Sequence, residues 1–122
     1  MPSQISVAES PSDAEPVQMI EPMRLAAEEA AKVLRSIGSP YRLMILCLLV
    51  ESEKTVSEIS DAIGARQSLT SQHLTRLRLD GLVKAERRGH FAYYSLNDTV
   101  AKEIVAILYR HYCPKVPGAP GA

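Results

Sequence analysis

Two kinds of side chain in this sequence are spaced to do chemistry. The first kind is the thiol: the chain has two cysteines, Cys47 and Cys113, and a thiolate attacks oxidised sulfur or binds a thiophilic metal. Cys47 sits among Leu46, Leu48 and Leu49, where a single cysteine serves as a small hydrophobe. Cys113 closes the stretch "LYRHYCP", where Arg110, His111 and Lys115 favour the anion and the end of a helix opposes it. The second is a run of hydroxyl, amide and imidazole groups, "SLTSQHLTRLRLDGLV" from residue 68 to 83, that closes on leucines in helical spacing. At about 100° per residue, Leu74 and Leu77 lie at the centre of an inward face flanked by Thr70 and His73. Ser68, Gln72 and Thr75 then point the opposite way, with Ser71 to one side. Short groups that both donate and accept are what reading base edges in a major groove requires.

Those residues have to be held by a small body. The chain has 122 residues, enough for one core. No apolar run approaches the roughly 18 residues that span a bilayer, and the N-terminus lacks a basic start followed by an apolar segment, so a cytoplasmic protein with free thiols and no membrane partner is expected. The formal net charge is zero, yet residues 1–22 carry four acidic groups and no basic one, leaving 14 basic residues against 10 acidic in the remainder. Positive charge is densest from Arg66 to Arg88, which favours an anionic partner.

Residues 1–18 read as a disordered acidic tail and 114–122 as a flexible C-terminal tail, rich in Pro, Ser, Gly and Ala. Between them, residues 19–113 form one domain. Met23, Ala26, Ala27, Ala30, Val33, Leu34 and Ile37 recur at three-to-four spacing and mark an amphipathic helix ended by Gly38. Ser39 caps the next helix, with Pro40 at its first position; apolar on nearly all sides to Glu51, it should be the buried centre. Thr55 and Glu58 form a capping box that opens a short helix with Val56, Ile59 and Ile63 inward. After the polar-fronted helix, "LVKAERRGHFAYYSL" alternates about a central Arg-Gly, as two strands joined by a tight turn. Asn97 or Asp98 caps a last helix that Pro114 stops. The fold class is mainly α with a β-hairpin: a helix-turn-helix with a basic wing.

"LRSIGSPYRLMILCLL", "TVSEISDAIGARQSLTSQHLTRLRLDGLV" and "ERRGHFAYYSL" resemble the ArsR/SmtB family of winged-helix repressors over about residues 25–112. The pattern S-x-x-S-x-H-L-x-x-L-R-x-x-G-L-V is similar to that family's recognition helix, although Arg66 stands where many relatives have a Ser cap. The resemblance implies a homodimer joined through its first and last helices on a double-stranded, inverted-repeat operator. It puts Gln67, Ser68, Thr70, Ser71 and Gln72 at the DNA, with His73, Arg76, Arg87, Arg88 and His90 as further contacts. No cofactor is implied. The family's metal sensors use a Cys-rich motif on the short helix or Asp, His and Glu ligands on the last; here "TVSEISDAIG" has no cysteine and Asp98 has no His two residues on. Cys47 and Cys113 together resemble the cysteine pair of the family's persulfide-responsive branch, which implies release of DNA when reactive sulfur species oxidise them. A metal-responsive repressor and a constitutive DNA-binding repressor with inert thiols stay open as alternatives. An enzyme is disfavoured by the lack of a C-x-x-C, a Gly-rich phosphate loop or a Ser/His/Asp set.

Overall fold

The structure, a computed structural model, describes residues 17–113, with side chains from Ile20. The tails expected at 1–18 and 114–122 lie outside these residues, except that the first helix already begins at Val17. In chain order the elements are α1 (Val17–Ile37), α2 (Pro40–Glu51), β1 (Lys54–Thr55), α3 (Val56–Ile63), α4 (Gln67–Leu79), β2 (Val83–Arg88), β3 (Phe91–Leu96) and α5 (Val100–Tyr112). The chain divides into two units within α1, one ending at Lys32 and the other beginning at Val33. In the first unit, α1 carries Arg24 paired with Glu28 at 2.9 Å and Lys32 with Glu29 at 3.3 Å, the one-turn spacing that supports an exposed helix. No single described helix is long and apolar enough to cross a membrane.

In the second unit, local chemistry sets most boundaries. Ser39 accepts from the Arg42 N–H at 3.4 Å, with Pro40 following where no N–H is needed. The Thr55 hydroxyl accepts from the Glu58 N–H at 3.2 Å, and Glu58 in turn accepts from the Thr55 N–H at 2.9 Å, closing the capping box. Gly81, at φ 81°, lets α4 end in a Schellman turn: Leu82 N–H bonds to Leu77 O at 2.9 Å and Gly81 N–H to Arg78 O at 3.0 Å. That reversal drops Leu82 and Val83 into the core.

The wing register pairs Val83 with Leu96 and Arg88 with Phe91, so the turn residues are Gly89 and His90, one position later than the Arg-Gly centre expected. Gly89 takes φ 64° at the first turn position, the requirement of a type II′ hairpin. Two features differ further from expectation. A third strand, β1, pairs antiparallel with β3, giving the sheet order β1-β3-β2; two residues are too short for an alternation signal. Neither Asn97 nor Asp98 holds the N-cap of α5. The Asn97 side-chain amide donates to Gly81 O at 2.9 Å and Val83 O at 3.3 Å, closing the base of the wing, and Thr99 takes the N-cap position without a side-chain bond.

The core is Ile37, Ile45, Leu46, Leu49, Ile59, Leu74, Leu77, Leu82, Val83, Ala101 and Val105. It draws on every helix of this unit and on the base of the wing. Helix α2 is central but not buried all round: Tyr41 and Met44 are exposed, Met44 on the side that borders a cavity.

Candidate DNA-reading face and thiol cavity

Helix α4 is fixed by its inner face. Leu74 and Leu77 are fully buried, and their places leave Gln67, Ser68, Ser71, Gln72 and Thr75 exposed. The expectation for Thr70 is corrected: it is fully buried and its hydroxyl donates to Arg66 O at 3.0 Å, so its hydrogen bond closes the helix start and does not face a ligand. Arg66 holds the N-cap position with no side-chain cap, so the first N–H groups of α4 have no side-chain acceptor at that position. His73 stacks on Tyr41 of α2, ring centroids 5.8 Å apart, and burial followed by the nearby Arg42 charge lowers its pKa. It anchors α4 to α2.

The far end of α4 is held as firmly. The Ser36 hydroxyl donates to Asp80 at 2.5 Å, and Arg76 lies 3.4 Å from the same carboxylate oxygen. The Arg42 guanidinium donates to Ser36 O at 2.8 Å, closing a polar link among α1, α2 and α4. Arg87, Arg88 and His90 are exposed on the wing. Arg88 is engaged by Glu53 and lies over the Tyr93 ring at 4.1 Å.

Both cysteines open onto one cavity of about 680 Å³ between α2, α3 and α5, walled mainly by Leu43, Met44, Leu48, Ile63, Leu108 and Tyr112. Neither is bonded to another cysteine, and each is half-buried. Cys47 and Glu51 stand one turn apart on α2, and Tyr109 and Cys113 one turn apart on α5, so each pair shares a face. The two faces are joined where the Tyr109 hydroxyl donates to Glu51 at 3.0 Å. Burial, with the negative charges possible at Cys113 and Glu51, pushes the Cys47 thiol up to about 11; on the order of one in 10⁴ is then thiolate near pH 7. Lys115 lies outside the described residues.

The sequence profile of bacterial regulatory proteins of the arsR family matches residues 39–85, from the cap of α2 into the wing. A curated relative, the transcriptional activator HlyU of Vibrio cholerae, is 35% identical over 94 residues, 77% of this chain and 87% of that protein. The chain belongs to the ArsR family. The structure of the transcriptional repressor BigR from Xylella fastidiosa is 38% identical and superposes with a TM-score of 0.71 over 76% of this chain and 92% of that one. The homodimeric winged helix-turn-helix DNA-binding domain of Mb0332 from Mycobacterium bovis, 27% identical, gives 0.66 over 76% and 86%. As an ArsR-family member the chain is a DNA-binding, winged-helix transcription regulator, with α3 and α4 as the helix-turn-helix and β2–β3 as the wing.

Glu51, Tyr109 and Glu53 stand outside the motifs legible in this ArsR-family sequence. Their partners are 58 and 35 residues away, and no periodicity reports a contact between elements so distant. The one available signal was the i, i+4 spacing of Cys47 with Glu51 and of Tyr109 with Cys113.

Proposed function

We propose that the protein is a homodimeric repressor that binds an inverted-repeat operator and releases it when reactive sulfur species join Cys47 to Cys113. The observation that carries this reading is the opening of both unbonded thiols onto one cavity between α2 and α5. Similarity to the BigR repressor supports the direction of regulation. Exposed apolar side chains stand in each unit, Met23 and Leu25 in the first and Leu34, Val100, Ile107 and Tyr112 in the second, and a partner copy would cover them.

The chemistry needs only a hydropersulfide, RSSH. A cysteine thiolate takes its outer sulfur, the RS–SH bond breaks, and RS⁻ leaves and is protonated. With both cysteines as Cys–S–SH, the terminal sulfur of one attacks the inner sulfur of the other and expels HS⁻. Two thiols and two RSSH thus become one three-sulfur link, two RSH and one H₂S. That link ties α5 to α2. Glu51, bonded to Tyr109, is followed after two residues by β1, which pairs with the wing strand β3 and leads into α3. A shift of α5 therefore reaches both DNA-binding parts, and in a dimer it alters the spacing of the two recognition helices.

A constitutive repressor with inert thiols is the second reading, favoured by the high pKa of Cys47. Operator titrations with and without cysteine hydropersulfide separate the two: affinity that falls supports the dithiol, and unchanged affinity leaves the inert thiols.

The DNA assignment has its own test. Ser71→Ala and Gln72→Ala should each lower discrimination between operator and random duplex by about 1–3 kcal/mol where the side chain pairs well with a base edge. Arg87→Ala should weaken all DNA alike and flatten the salt dependence. Competition titrations in which the wing variant changes base preference while the helix variants leave it intact would reverse the assignment.

A further inference from the structure

Glu53 sits in the two-residue connection between α2 and β1, where the pairing of β1 with β3 fixes it beside the wing. Its carboxylate accepts a hydrogen bond from the Arg88 guanidinium. The Glu86 carboxylate lies 3.9 Å from the same guanidinium, and the Tyr93 ring supports it from below at 4.1 Å. Arg87, the neighbouring cation, has no carboxylate within 4.0 Å among the described residues. The two wing arginines are therefore unequal: Arg87 presents a free positive charge, and Arg88 carries one positive charge held among two negative ones.

We propose that Glu53 competes with DNA phosphate for Arg88 and so acts as a built-in brake on DNA binding. A phosphate that pairs with Arg88 through both arms of its fork has to displace the carboxylate already bonded to its Nη2. The pair is solvent-exposed, with side chains 46% and 44% accessible, so it is weak enough for a polyanion to open. The displaced carboxylate then remains near the DNA as a like charge, and part of what Arg88 gains from the phosphate is lost. This inference does not depend on the thiols.

The test uses the full chain and a random-sequence duplex. Replacing Glu53 by Gln keeps the side chain's size and removes its charge. Glu53→Gln should tighten binding about three- to tenfold at low salt and steepen the log–log salt dependence by about one per wing, as one more phosphate contact is made. In an Arg88→Ala background the same substitution should change nothing, because the brake acts through that guanidinium. Unchanged or weaker binding of Glu53→Gln would overturn the proposal. So would an equal gain in the Arg88→Ala background, which would mean that Glu53 acts only through overall charge. Should Glu53→Gln fail to fold by circular dichroism, Glu53→Ser read through the same pair of backgrounds decides it.

Discussion

A Cys113→Ser protein should bind the operator as the unmodified chain does and keep that affinity when persulfide is added. The unmodified chain should lose about 5- to 150-fold, the range of coupling free energies of 1–3 kcal/mol between two sites. The substitution is mild for the fold. Cys113 is half-buried at the C-cap of α5, and its contact with the helix is a backbone bond, N–H to Tyr109 O at 3.1 Å, which serine keeps. A link between α2 and α5 needs both ends, and a single modified thiol leaves the helices untied. In a cell this variant would repress permanently. Cys47→Ser should be equally blind to persulfide but is the poorer test, since a hydroxyl placed in this apolar wall without a partner costs about 1–3 kcal/mol. A folded Cys113→Ser protein that persulfide still strips from the operator would remove the two-thiol mechanism.

The second large effect is on the fold that presents the reading face. Leu74→Ala should cost about 2–5 kcal/mol, because the side chain is fully buried in the core and its removal leaves a cavity that the neighbours fill only in part. That is a large share of the roughly 5–15 kcal/mol that holds a domain together, so urea denaturation should show a much lower midpoint. Leu79, five residues on but 75% exposed, should tolerate alanine within about 0.5 kcal/mol. The contrast matters for function. Leu74 and Leu77 set which side of α4 faces out, and so where Ser68, Ser71 and Gln72 stand. A Leu74→Ala destabilisation of under about 1 kcal/mol, well below the range for a buried leucine, would mean that α4 is not held by this face.

These two effects lie on different sides of what a sequence can report. The rotation of α4 was legible because helical spacing alone places Leu74 and Leu77 inward, and the caps at Ser39 and Thr55 were legible because each is a bond between residues three apart. The winged-helix order followed from such local signals. Thr70 was half legible: spacing put it beside the buried leucines, whereas family resemblance put it at the DNA, and the structure sides with spacing. Asn97 was misread because its side chain can accept at a helix cap through its oxygen or donate through its nitrogen, and it is the position of Gly81 and Val83 across the turn that gives the nitrogen its partners. Each cysteine could be placed on its helix. That both open onto one cavity depends on how α2 packs against α5, a long-range contact that no local pattern encodes.

Whether the two thiols are joined across that cavity is read from the mass of the intact protein and of its proteolytic peptides after exposure to cysteine hydropersulfide, beside a sample treated with a disulfide-stress reagent. The peptides containing Cys47 and Cys113 should become joined, with sulfur gained and two hydrogens lost, and the fraction so joined should match the fraction released from the operator. Release from the operator with the two peptides still separate, or a full yield of joined peptides on a protein that stays bound, would contradict the dithiol mechanism.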